Sequence, residues 1–281
     1  MALFNRVTIV GLGLIGGSLG MTIRRKHLAR VVIGVSRRPA TLRRAKRLGA
    51  IDIGTTDLRR AVRDADLVVL ATPVEDMAPL AERAAALMRS GSILTDVGST
   101  KAAIVNRLER TLPRGIAFVG AHPIAGSEQW GIEAADAKLF EDAVCVLTRS
   151  PRTNRRALSR VRQLWAPLAG RVVVMTPRTH DRLLAQTSHL PHLLACALIE
   201  TAQVAPLPRA PRSFLDVTRI AKSHPGLWRE IFLTNRMELL AAMQRFDRQW
   251  RTLRACLTSQ DRRGLQRMLT RAQMKRNALD R

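Results

Sequence analysis

Arg6-Val7-Thr8-Ile9-Val10-Gly11-Leu12-Gly13-Leu14-Ile15-Gly16-Gly17-Ser18 is the stretch that decides the fold. The apolar, β-branched run reads as a buried strand, and the G-x-G-x-x-G that follows it opens a helix-forming segment. In such a turn the first glycine permits the tight bend, and the second lets the backbone approach a pyrophosphate. The third brings the helix close to the strand, and the helix N-terminus holds the phosphate charge. A glycine-rich turn alone is weak grounds for a ligand. Strand, turn and helix in this order make Gly11, Gly13, Leu14, Ile15 and Gly16 the expected phosphate-binding turn of a dinucleotide.

A second strand, Val31 to Val35, runs into Ser36-Arg37-Arg38. An NAD site places a carboxylate here, about 20 residues past the turn, to accept from the ribose 2′-hydroxyl. A carboxylate repels a 2′-phosphate, whereas a serine and two guanidiniums hold one through charge-assisted hydrogen bonds. The expected cofactor is therefore NADP, with NAD as the alternative if Arg37 and Arg38 merely begin the basic helix that carries Arg43, Arg44 and Arg47.

Strand-like runs continue at 67–71, 92–97, 117–120, 143–147 and 171–175, separated by helical segments. Near-continuous apolar strands alternating with helices predict a mainly parallel, doubly wound α/β sheet covered on both faces. Ligands bind such sheets at the carboxyl ends of the strands, so the loops at Thr72-Pro73, Gly98-Ser99 and His122-Pro123 should face the cofactor. After Thr176-Pro177 the strand signal ends, and apolar residues recur at three- and four-residue spacing. The expected division is a dinucleotide-binding domain over 1–175 and an all-helical substrate and dimerisation domain over 176–281. The apolar stripe from Leu227 to about Leu257 exceeds what a small helical domain buries, which predicts a homodimer interface.

A net charge of +25 raises the possibility of a nucleic-acid partner. Against it, 41 arginines are spread over the whole chain, there is no tyrosine for base stacking, and zinc-finger spacing is absent. Neither nucleic acid nor membrane is an expected partner, since no apolar run reaches the length of a span. Cys145, Cys196 and Cys256 are far apart, with no C-x-x-C, so neither a metal site nor a disulfide framework is predicted. With no targeting signal before the first strand, the cytoplasm is the expected location.

His122 closes a strand and precedes Pro123, which forces it into an extended conformation at the sheet edge. A neutral imidazole there accepts a hydroxyl proton while hydride leaves the same carbon. Ser99, after Asp96-Val97-Gly98, is placed to support that hydroxyl. In the helical half His189 and His192 share a face, with Pro191 kinking the helix between them. Asp216, Arg219 and Ser223 are spaced to line one helix face, where Arg219 is either a carboxylate binder or half of a surface pair with Asp216.

Taken together, the motifs Gly11 to Leu19, Asp96-Val97-Gly98-Ser99-Thr100-Lys101 and His122-Pro123-Ile124-Ala125-Gly126-Ser127-Glu128 resemble the prephenate/arogenate dehydrogenase family. So do Ser188-His189-Leu190-Pro191-His192 and Asp216 to Ser223, followed by Trp228, in the family's order and over nearly the whole chain. The resemblance implies a Rossmann domain and a helical dimerisation domain with the active site between them. It implies that His122 is the catalytic base on the ring hydroxyl, with Ser99 beside it. Arg219 would bind the ring carboxylate, and His192 and Ser223 the side-chain end. Trp228 would wall the pocket, and Glu128 would join an ionic network at its mouth. The implied substrate is prephenate or arogenate, and the reaction an oxidative decarboxylation. Two departures stand out: Ser36-Arg37 in place of the acidic residue of NAD-using members, and His224 where many members carry Asp. Two other readings are a related β-hydroxyacid dehydrogenase, which needs a lysine base such as Lys222, and a non-catalytic NADP-responsive binding protein.

Overall fold

In the computed structural model, residues 2–126, 129–202 and 210–279 are described. Six parallel strands form the first sheet: β1 (Phe4–Val10), β2 (Ala29–Val35), β3 (Ile53–Thr55), β4 (Leu67–Leu70), β5 (Ile93–Asp96) and β6 (Ala117–Val119). Their order, β3-β2-β1-β4-β5-β6, is that of a doubly wound dinucleotide-binding sheet. Helices α1 (Leu14–Arg25), α2 (Pro39–Arg47), α3 (Leu58–Val62), α4 (Val74–Ala85) and α5 (Ala102–Thr111) make the crossovers. Strand β4, Leu-Val-Val-Leu, is buried throughout, as a strand covered on both faces must be. β3 was not expected from the sequence, because Ile-Gly-Thr is too short to show a period.

The later strands do not extend this sheet, which corrects the single-sheet expectation. β7 (Ala121–Ile124), β8 (Val144–Thr148) and β9 (Arg171–Met175) form a second sheet, with β7 antiparallel to β8 and β8 parallel to β9. The break falls at Gly120, whose carbonyl accepts from the backbone N–H of Thr148 at 2.8 Å and where a Cβ would crowd the Thr148 hydroxyl. Pro123, which has no N–H to give to a ladder, lies on edge strand β7 opposite Cys145. α6 (Arg155–Trp165) connects β8 to β9 and buries Val161, Leu164 and Trp165.

From Pro177 on the described residues are helical: α7 (Pro177–Leu184), α8 (Leu190–Thr201), α9 (Arg212–Thr218), α10 (Pro225–Thr234), α11 (Arg236–Thr258) and α12 (Arg262–Asn277). Rather than a plain proline kink, a π-helical turn at Ala185–His189 joins α7 to α8. Pro191 falls in the first turn of α8, directly after the π-helical turn. The apolar stripe is interrupted at Asn235, which ends α10 and opens α11. Its inner face is small, with Ala185, Leu190, Leu239 and Ala242 buried together. Leu233, Met237, Trp250 and Leu257 stay more than half exposed. Among the described residues no helix is long and apolar enough to cross a membrane.

Candidate active site

The turn after β1 forms a cradle. Gly11 has φ +98°, and a Cβ there would run into the Ala71 carbonyl, while one at Gly16 would strike the carbonyl of Gly11. In front of Gly13 there is nothing within 4 Å. Gly13 is also the N-cap of α1 and makes no side-chain cap bond, so the N–H groups of Leu14, Ile15 and Gly16 open onto that space. Beside it, the Thr72 hydroxyl is buried with no hydrogen-bond partner among the described residues, and Pro73 caps α4 next to it. A donor-rich, side-chain-free concavity with an orphaned hydroxyl fits a dinucleotide's pyrophosphate. At the end of β2 the Ser36 hydroxyl accepts from the backbone N–H of Arg38 at 3.3 Å. Arg37 and Arg38 are exposed there, with no acidic residue between Ser36 and Pro39.

Where the helical half meets the carboxyl edge of the parallel sheet, polar groups are buried together. His122 lies in β7 opposite Val146 and is 8% exposed. Its Nδ1 is 2.8 Å from His180 Nε2, and His180 Nδ1 is 2.7 Å from Asp181 Oδ1. The Asp181 carboxylate accepts from the backbone N–H groups of Lys101 and Ala102, both at 2.8 Å, and so caps α5. Lys101 is ion-paired to Asp96, and its Nζ also donates to the Ala121 carbonyl at 3.0 Å. That pair, wholly buried, ties the β5 end to the residue preceding His122. Ser99 is half-buried in the turn between β5 and α5 that this pair spans.

Burial holds the His122 imidazole well below the ordinary histidine range, and the charges of His180, Lys101 and His189 add to the effect. It is neutral at neutral pH. Burial also lowers His189, to about 4, against the opposing pull of Asp181. The amide of Asn235 donates to His189 Nδ1 at 3.1 Å and to the Asp181 carbonyl at 2.8 Å. His189 therefore accepts on Nδ1 and carries its proton on Nε2. His192 lies flat on Trp228, with ring centroids 3.6 Å apart and planes 13° from parallel. Burial brings His192 to about 4, and its Nδ1 is buried without a hydrogen-bond partner among the described residues.

Other expected residues fall differently. Asp216, Arg219 and Ser223 do not share one helix face, because α9 stops at Thr218 and Arg219–Lys222 form a 3-10 turn. Pro225 keeps His224 out of the helical region, so the chain is extended from Ser223 to the start of α10. The 3-10 turn packs on α8, which brings Arg219 and Ser223 to the helix that carries His192. Lys222 is exposed on that turn, outside the histidine cluster. Glu128 lies outside the described residues. Sequence reasoning missed His180, Asp181, Lys101, Asp96 and Asn235 as members of the site. The adjacent His180-Asp181 pair in the first helix past the sheets was the available signal.

Comparison with known proteins assigns both halves of the chain to one family. Residues 19–174 match the family described as "Prephenate dehydrogenase, nucleotide-binding domain", and residues 176–271 match "Prephenate dehydrogenase, dimerization domain". A cyclohexadienyl dehydrogenase of Zymomonas mobilis is 36% identical over 93% of this chain and 91% of its own length. The crystal structure of prephenate dehydrogenase from Aquifex aeolicus, in complex with hydroxyphenyl propionate and NAD+, superposes with a TM-score of 0.90. That protein is 32% identical, with 98% of each chain covered. The Synechocystis arogenate dehydrogenase structure has a TM-score of 0.85 at 29% identity, covering 98% of this chain and 99% of that one.

Proposed function

This chain belongs to the prephenate dehydrogenase family, and from its site we infer that it oxidatively decarboxylates prephenate, and arogenate more slowly, in tyrosine biosynthesis. The observation that carries the reading is a buried, neutral His122 on β7, tied through Ala121 to the carboxyl end of β5 in the parallel sheet whose first turn forms an open dinucleotide cradle. When bound, the nicotinamide supplies the hydride acceptor.

The substrate is a cyclohexadiene with a ring carboxylate and, para to it, a secondary hydroxyl. His122 takes the hydroxyl proton as hydride leaves the same carbon. Ser99 holds the hydroxyl oxygen toward His122. The carbon–carboxylate bond then breaks, CO₂ leaves, and the electron pair of that bond enters the ring to give a phenolate, which recovers the proton held on His122 and becomes the phenol. Prephenate gives 4-hydroxyphenylpyruvate and arogenate gives tyrosine. Arg219 pairs with the ring carboxylate through a planar guanidinium fork. His192, whose Nδ1 has no partner among the described residues, Ser223 and the face of Trp228 receive the side-chain end.

We assign the cofactor as NADP in preference to NAD, read by Ser36, Arg37 and Arg38 at the end of β2. Leu14 and Ile15 in the first turn of α1, with Thr72 and Pro73 opposite, complete the cofactor site. Stacked and neutral, His192 does not repel the ammonium of arogenate, which removes charge repulsion at His192 as a basis for discrimination. The preference for prephenate rests instead on its greater negative charge in a chain of net charge +25. Residues 1–175 bind cofactor, and residues 176–281 bind substrate and form a homodimer in the cytoplasm, the second copy covering the exposed apolar face of α10 and α11. Incubating the protein with each substrate and each cofactor, and measuring reduced nicotinamide against CO₂, tests the reading. Equal amounts are expected, fastest with prephenate and NADP, and no reduced nicotinamide with either substrate contradicts it.

A further inference from the structure

We propose that His180 and Asp181 act as a positioning relay behind His122, fixing its proton on Nδ1 so that Nε2 is bare toward the substrate. The inference rests on the reading of His122 as the base and adds the reason it is poised as one.

Donor and acceptor capacity places each proton along this chain of groups. Asp181 accepts two backbone N–H bonds from the start of α5, one on each carboxylate oxygen. An ionised carboxylate only accepts, so the proton in the 2.7 Å gap to His180 belongs to His180 Nδ1. With its one ring proton directed at Asp181 from Nδ1, His180 offers the lone pair of Nε2 as an acceptor. The proton in the 2.8 Å gap between the two rings therefore belongs to His122 Nδ1. The ring centroids lie 5.1 Å apart, so the two rings approach through their nitrogen-bearing edges rather than by stacking. The remaining nitrogen of His122 carries a lone pair.

The same chain serves after proton transfer. Once Nε2 has taken the hydroxyl proton, the imidazolium already donates to His180, which donates to Asp181, so the new charge is stabilised through two bonds. The groups around His122 are His180 from α7, Lys101 from the β5–α5 turn, His189 from the π-helical turn and Cys145 from β8, with Asp181 behind His180 and Asp96 behind Lys101. Lys101 is neutralised by Asp96, and His189 is tied to Asn235. Of these, the Nδ1 edge of His122 is bonded to His180.

The test is made on the full chain. Nitrogen-15 spectra of the histidines at neutral pH should show His122 protonated on Nδ1 and unprotonated on Nε2. A proton on Nε2 overturns the proposal, whether or not any variant folds. In kinetics, His180→Leu removes the acceptor and should lower kcat by about 10²-fold. KM for prephenate and the Kd for NADP should stay within about threefold of wild type. His180→Gln keeps an acceptor oxygen and should recover most of that loss. Equal kcat in His180→Leu and wild type, or equal loss in both variants, overturns the relay. His122→Asn is the control that separates the two ideas. If His122→Asn is inactive while His180→Leu is not, the relay fails and the base stands. If His122→Asn is active, the base reading itself fails.

Discussion

The paired burial of His189 and His192 makes a specific demand on acid stability. Each is lowered from the ordinary 6.5 to about 4. The folded state therefore favours the neutral rings. Their contribution is fully present above the unfolded value of about 6.5 and is lost as the pH falls through about 4. A fall of this size is worth about 3 kcal/mol per histidine when complete. Between pH 7 and pH 5, where most carboxylates stay ionised, about 2 kcal/mol of it is lost at each site, roughly 4 kcal/mol together. That is a large part of a typical domain's stability of about 5–15 kcal/mol. His122 acts in the same direction. The perturbation is His192→Phe, which keeps an aromatic face against Trp228 but does not titrate. Urea unfolding at fixed protein concentration should give a pH 7 to pH 5 loss smaller by about 2 kcal/mol in the variant than in wild type. An identical loss in the two proteins refutes the reasoning.

Three further outcomes follow from the site. If Ser36, Arg37 and Arg38 read the 2′-phosphate, kcat/KM should favour NADP by about tenfold or more, about 1.4 kcal/mol, and Ser36→Asp with Arg37→Ala should reverse it; equal use of both cofactors by wild type counts against it. Gly13→Val meets no neighbour in the fold, so it should melt as wild type does yet lose NADP binding in a titration; unchanged affinity would mean the cradle lies elsewhere. Arg219→Ala should raise KM for both substrates by the equivalent of about 1.5–3 kcal/mol, the usual worth of hydrogen bonds to a charged group, and a KM near wild type would move the carboxylate to another partner.

The parts of this molecule visible in the sequence are those written as local patterns. Val7 to Gly16 declares strand, turn and helix through residue type alone, and Leu67 to Leu70 is apolar because both sheet faces are covered. The split into two sheets was not legible, because it depends on Gly120 meeting Thr148, 28 residues away. The spacing of Asp216, Arg219 and Ser223 implied a shared helix face that the 3-10 turn before Pro225 removes. His180, Asp181 and Asn235 look like ordinary helix residues until burial brings His180 and Asp181 to His122, and Asn235 to His189. Long-range hydrogen bonds of this kind leave no period in the chain.

The central claim is that His122 receives the hydroxyl proton, and His122→Asn tests it most directly. With saturating prephenate and NADP the variant should lose about 10²–10⁴-fold in kcat, the contribution of a positioned base, while its Kd for NADP stays that of wild type. A kcat within about threefold of wild type would contradict the account and return His122 to a structural part of the β7 edge.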